Sequence, residues 1–222
     1  MMLRIKNVNP VISYFILRRL IGILGILLAL VCYGGGRLFS DLSLQPSISF
    51  YYYTNVRDLF VGLLVGVSMF LITYKGYEVI DNIVSNITGM VGLGIAIFPC
   101  LFSKEVTMSV GFFQFNPELS NTLHLICSAS FFVLLALNSL FLFTLTDKNK
   151  EMTENKKKRN KVYITCGIII LASLISLVFI KLTVDPKIID EKKIVFIFEA
   201  VMLVSFGISW LVKGETIWRD PK

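Results

Sequence analysis

Six separate runs of this chain are apolar, and each is long enough to cross a lipid bilayer. A spanning helix needs about 20 mostly apolar residues, because each residue rises about 1.5 Å and the hydrocarbon layer is about 30 Å thick. Backbone N–H and C=O groups find no water at that depth, so each run must be a helix that satisfies its own backbone. The runs read as Ile16–Gly35, Asp58–Tyr74, Asn82–Phe102, Asn121–Thr146, Val162–Thr183 and Lys192–Val212. Together with short connections they use nearly all of the 222 residues. The expected fold is one all-α domain over residues 1–222: a polytopic membrane protein of six transmembrane helices. Hydrophobic residues make up 55% of the chain, above the usual share of a soluble domain.

Orientation follows from the Lys and Arg residues that flank the runs. With the N-terminus inside, the inner side carries Arg4, Lys6, Arg18, Arg19, Lys75, Lys148, Lys150, Lys156, Lys157, Lys158, Arg159, Lys161, Lys213, Arg219 and Lys222, fifteen in all. The outer side carries seven: Arg37, Arg57, Lys104, Lys181, Lys187, Lys192 and Lys193. Both termini are therefore expected in the cytoplasm, and the setting is expected to be a bacterial inner membrane. The net charge of +7 arises from this asymmetry and is not a nucleic-acid signature. Arg18 and Arg19 lie far from Met1, and no A-x-A-like site follows the first run, so that run is expected to remain as an uncleaved helix.

Cys32, Cys100, Cys127 and Cys166 fall inside or at the ends of the runs, with no C-x-x-C pair among them. Small residues packed between helices are expected there, rather than a disulfide framework or a structural zinc site. No metal and no cofactor is expected. No G-x-S-x-G, H-E-x-x-H, Walker or G-x-G-x-x-G pattern occurs, which removes the usual sequence support for those enzyme classes.

The longest outer loop, Gly36–Arg57, holds Ser47, Ser49, Tyr51, Tyr52, Tyr53 and Thr54. Tyrosines beside a span are expected at headgroup level, as an anchor or as a lid over an entrance. The outer loop Ser103–Ser120 brings Phe112, Phe113 and Phe115 to the same interface. The last outer connection, Val184–Glu191, is short and charged, which makes spans five and six antiparallel neighbours. The inner loop Asp147–Lys161 has seven basic and three acidic residues and is expected to be soluble and drawn to anionic lipid. Gly62 and Gly66 form a G-x-x-x-G on span two, suited to close packing inside the bundle or to a homo-oligomer. No internal repeat stands out.

Ionisable residues within a span are costly and mark function or a structural polar knot. Here they gather at one depth. Arg57 and Asp58 open span two, and His124, the one histidine, lies about a turn into span four. Glu199 stands seven residues past Lys192, roughly 10 Å into span six at about 1.5 Å per residue. Pro99 and Cys100 close span three at that level. Arg57 suits a phosphate or carboxylate, Asp58 and Glu199 a counter-charge, and His124 a switchable hydrogen bond. The expected site therefore comprises Arg57, Asp58, His124, Glu199, Ser47, Ser49, Tyr51 and Tyr53. Arg57 is expected to pair with Asp58 or Glu199, and His124 to hydrogen-bond to either acid.

The segment Pro46-Ser-Ile-Ser-Phe-Tyr-Tyr-Tyr-Thr-Asn-Val-Arg-Asp58, followed by Phe60-Val-Gly62, resembles a signature of small bacterial six-helix membrane proteins of unknown function. Leu17-Arg-Arg-Leu-Ile-Gly22, Tyr74-Lys-Gly-Tyr77, Phe98-Pro99, His124-Leu-Ile-Cys-Ser-Ala-Ser-Phe-Phe132 and Phe206-Gly-Ile-Ser-Trp-Leu-Val-Lys-Gly-Glu215 fit the same group. More distantly, the chain is similar to the DUF998 and Frag/DRAM/Sfk-type groups of six-span proteins. That resemblance implies a part in lipid homeostasis, sensing or membrane organisation. A looser likeness is to the CREST hydrolases, the alkaline ceramidases and their relatives, which combine a Ser, an Asp and three histidines around zinc. Ser47 or Ser49, Asp58 and His124 echo part of that set, but span six contains no histidine.

The leading expectation is recognition of a membrane lipid or another amphiphile at an outer-leaflet polar pocket. One alternative is a membrane-embedded hydrolase or transferase using Asp58, His124 and Glu199. Another is an oligomeric membrane effector or pore-forming subunit. No nucleic-acid partner is expected.

Overall fold

The computed structural model describes residues 14–76, 78–102, 108–146 and 151–220. Arg4, Lys6, Lys104, Lys148, Lys150, Lys222 and Tyr77 lie outside the described residues. The architecture is all-helical: α1 (Tyr14–Ser40), α2 (Arg57–Thr73), α3 (Val79–Ile97), α4 (Pro117–Leu137), α5 (Glu154–Thr183), the short α6 (Pro186–Glu191) and α7 (Ile194–Lys213). Five of these are long and apolar enough to cross a membrane: α1, α3, α4 with its extension to Leu142, α5 and α7. The sixth expected span, α2, is a 17-residue helix packed between α1 and α3.

The six long helices form a closed ring. Each packs on its neighbours in sequence, and α7 returns to α1 in the most extensive contact of the fold. Glycines permit that closure. A Cβ on Gly22 would sit 2.7 Å from the carbonyl oxygen of Gly207, and one on Gly207 would sit 2.6 Å from that of Gly22. By contrast, a Cβ on Gly62 would meet nothing within 4 Å and one on Gly66 would make only an ordinary 3.7 Å contact with Leu24, so neither glycine is needed for a close approach within the bundle. The bundle closes instead through Gly22 and Gly207, and through Gly89, which packs against the Ser68 carbonyl.

The exterior of the ring is apolar along its length: Ile23, Leu30, Ile126, Ile168, Ile175 and Phe179 are all exposed. The interior carries Ser68, Ser85, Thr88, Asn138, Ser139 and Ser209 together with Phe131, Phe206 and Trp210. Polar atoms inside and hydrocarbon outside is the arrangement that lipid rather than water selects. A π turn over Asn138–Leu142 ends α4, and within it Ser139 and Ser209 share a hydrogen bond of 2.7 Å between α4 and α7.

Cations gather at the end of the ring where α1 starts and α7 stops. Lys156 Nζ donates to the Phe143 carbonyl at 2.7 Å, and Lys213 Nζ reaches the same oxygen at 3.4 Å. Arg18 Nη1 donates to the Lys213 carbonyl at 3.5 Å and Arg19 Nε to that of Gly214 at 2.9 Å. Helix C-termini expose carbonyls and carry partial negative charge, so these cations finish α4 and α7.

Several boundaries depart from the sequence reading, among them the end of span one, which runs on to Ser40 rather than Gly35. Span three stops at Ile97 rather than Phe102, because Pro99 removes a backbone donor and biases Phe98 to extended geometry. Span four starts earlier, at Pro117, under an Asn116 side-chain cap on the Leu119 N–H of 2.7 Å. The expected soluble loop Asp147–Lys161 is largely helix: Thr153 caps Lys156 N and α5 begins at Glu154. Its Arg159 is buried and pairs with Asp220 and, at 3.9 Å, with Glu215. The connection after α5 contains α6, started by the Asp185 side chain on Lys187 N, and α5 and α7 do pack as neighbours.

Candidate functional site

The segment Pro46–Tyr53, between α1 and α2, folds into the mouth of the ring at the end opposite the cations. Ser47, Ile48, Ser49 and Tyr51 are buried there, and Ser49–Tyr53 forms a single 3₁₀ helix. Three parts of the bundle hold it. From α7, Phe196 N donates to the Pro46 carbonyl at 3.0 Å, and Glu199 Oε2 accepts from Ile48 N at 2.7 Å. From α4, His124 Nε2 lies 3.0 Å from Ser49 Oγ. From the α3–α4 connection, the Cys100 carbonyl accepts from Tyr53 OH at 2.6 Å.

Pro99 explains much of the local order. It ends α3 and leaves Phe98–Leu101 extended, with backbone groups that need partners. One stretch of α4 supplies them. Ser120 Oγ donates to the Pro99 carbonyl at 2.8 Å, Asn121 Oδ1 accepts from Leu101 N at 2.9 Å, and His124 Nδ1 meets the Phe98 carbonyl at 2.7 Å. Ser120 and His124, four apart, lie one above the other on the same helix face.

Tyr51 is only 1% exposed and packs against Phe196. It is therefore core and not a headgroup-level anchor or lid. Burial pushes the Tyr53 phenol up to about 12, so it remains a hydrogen-bond donor. Phe113 and Phe115 stack on Phe98 beneath the turn Val110–Phe115, while Phe112 stays exposed.

The eight expected residues do not form one site: Tyr51 is core, and the others separate. Ser47, Ser49, His124 and Glu199 line one cleft of about 370 Å³. Arg57 and Asp58 do not: they pair with each other at 3.6 Å on the surface, and the Asp58 side chain is 95% exposed. Arg57 instead lies over the Tyr52 ring and lines a separate surface hollow with Tyr53, Gly111 and Gln114. Glu199 and His124 do not bond to each other; each holds a different residue of the Ile48–Ser49 step. The cation at the mouth of the cleft is Lys181 of α5, accompanied by Asp190 of α6 and Asn121 of α4. Lys181 and Asp190 stood in the sequence as flanking charges; only the packing of α5 and α6 beside α7 brings them to this site.

The cleft does not stop at its polar wall. A smaller pocket of about 30 Å³ lies behind it, lined by Leu28, Phe60, Leu64, Ile95, Phe131, Phe132 and Leu203. Ser49, Ser128 and Glu199 belong to both linings. Among the described residues no group of three His, Cys, Asp or Glu side chains is placed to hold a metal ion. Compared with protein-family models, with curated proteins and with solved structures, the chain finds no match.

Proposed function

We propose that this protein binds a membrane lipid or a related amphiphile, with its head in the polar cleft and the start of its tail in the apolar pocket. The observation that carries this reading is the shared wall. Ser49, Ser128 and Glu199 line both a larger, mixed cleft that also carries His124, Asn121, Lys181 and Asp190 and a small pocket whose other walls are aromatic and aliphatic. A cleft of a few hundred Å³ with a few polar groups suits a headgroup. Lys181 offers a charge partner for phosphate or carboxylate, and Asp190 and Glu199 offer acceptors for an amine or hydroxyl.

The same reading places the chain across a bacterial inner membrane with six spans and both termini in the cytoplasm. The 17 residues of α2 rise about 26 Å, close to the hydrocarbon thickness. The cation-rich end then faces the cytoplasm, and the cleft opens at the outer leaflet.

Mass spectrometry of lipids retained through detergent purification tests the proposal. Wild type is expected to retain a defined lipid class. His124→Ala/Glu199→Ala and Ser128→Phe, which fills the junction of the two pockets, are expected to lose it while remaining folded. Retention unchanged in both variants, or none in the wild type, overturns the reading.

A further inference from the structure

Hydrogen bonding fixes the state of the His124 ring. The Phe98 carbonyl can only accept, so Nδ1 at 2.7 Å carries the proton. In the neutral ring Nε2 is then an acceptor, and the hydroxyl 3.0 Å away, Ser49 Oγ, donates to it. A hydroxyl donating to an imidazole, whose far nitrogen is oriented by a fixed acceptor, is the relation between a nucleophile and its general base. Here a backbone carbonyl takes the orienting place that a carboxylate holds elsewhere. Phe98 is held for that task because Pro99 keeps it out of α3 and Ser120 binds the next carbonyl.

Position selects the bond to be attacked. Ser49 lies on the wall shared by the larger cleft, which holds His124, Asn121, Lys181 and Asp190, and the small apolar pocket. An amphiphile seated across that wall brings the junction of its head and tail to Ser49. In acylated lipids that junction is an ester.

We propose that Ser49 is the nucleophile and His124 the general base of an acyl-transfer site acting on an ester-linked amphiphile. The inference rests on the binding reading above. Ser49 Oγ bonds to the ester carbonyl carbon while its proton passes to His124 Nε2. The bond from that carbon to the alcohol oxygen breaks, and the departing oxygen takes the proton from Nε2. Water then attacks the acyl-Ser49 ester and gives its proton to Nε2, which returns it to Ser49 Oγ as the carboxylic acid leaves. Asn121 and Lys181 line the same cleft with N–H donors for the charge that develops on the carbonyl oxygen. Glu199 is a positioning residue, since its carboxylate holds Ile48 N beside the nucleophile.

A fluorophosphonate probe applied to the purified full chain in detergent tests this, with the adduct mapped by mass spectrometry. Ser49 Oγ is expected to displace fluoride and carry the phosphonyl group, while Ser47 stays unmodified. His124→Ala is expected to slow labelling at least about 100-fold, the usual scale for loss of a general base, with folding checked by thermal unfolding. The wild-type adduct needs no variant to fold. No adduct on Ser49, or labelling indifferent to His124, overturns the catalytic proposal. A retained lipid with no adduct leaves the binding reading standing and removes this one, whereas neither lipid nor adduct removes both.

Discussion

Arg159, near the start of α5, pairs with Asp220, beyond the end of α7, so the segment after α7 is tied across the cation-rich end of the ring. Arg159 also donates to the Trp218 carbonyl, Thr153 donates to Asp220 at 2.6 Å and Asn155 donates to the Arg219 carbonyl at 2.8 Å. Burial works against the Asp220 carboxylate, but the hydrogen bonds from Arg159 and Thr153 and the charge of Arg159 outweigh it and hold the group below its ordinary value of 3.8. A carboxyl with a lowered pKa contributes stability above its unfolded-state value and loses it as pH falls through the folded one. Limited proteolysis after Lys213 is therefore expected to be slow near neutrality and to quicken as the medium is acidified below 3.8. Asp220→Asn is expected to flatten that dependence and to cost about 1–3 kcal/mol, between an exposed and a buried pair. Cleavage equally fast at all pH values would refute the strap.

The hydrogen bond from Ile48 N to Glu199 crosses from the α1–α2 connection to the bundle. Glu199→Ala leaves that N–H without its partner and is expected to cost about 1–3 kcal/mol. Glu199→Gln keeps an acceptor and is expected to lie close to wild type. Thermal unfolding in detergent separates the two, and equal midpoints for Ala and Gln would show that the bond does not hold the segment.

Gly22 and Gly62 predict opposite outcomes for the same substitution. Gly22→Ala drives a methyl against the Gly207 backbone and is expected to destabilise by about 1–3 kcal/mol, the usual range for overpacking. Gly62→Ala meets open space and gains helix propensity, so it is expected to stabilise by up to about 1 kcal/mol. A Gly62 variant as unstable as the Gly22 one would contradict the observed packing.

The proposed six-span arrangement predicts that Ser43 and Lys157 lie on opposite sides of the membrane. Cys32, Cys100 and Cys166 are buried and Cys127 is half-buried, so background labelling is expected to be low. Ser43→Cys is expected to react with an impermeant maleimide in intact cells, and Lys157→Cys only after permeabilisation. If α2 failed to cross, both would react from outside.

The spans were largely legible because burial in lipid writes itself as unbroken apolar runs. Their ends were less so. Apolar sequence continues past Ile97 to Phe102, which hides the break that Pro99 imposes. Residues 154–161 read as a charged loop although Lys, Arg and Glu are good helix formers. At the site, helix rotation was not legible: Asp58 turns outward to Arg57, whereas His124 and Glu199 line the cleft. Tyr51 misled because a ring with one polar atom suits an interface and a core equally well.

The contact between α1 and α7 joins the first helix to the last. During synthesis the Gly22 face of α1 thus waits for a partner until α7 has left the ribosome. Any chain interrupted before Ile194 lacks more than one span: its ring has no closing member, and the stripe that Gly207 covers stays open to lipid or to a neighbouring nascent helix. The face of α5 that α7 covers is left bare in the same way, so the arrival of α7 closes two seams at once.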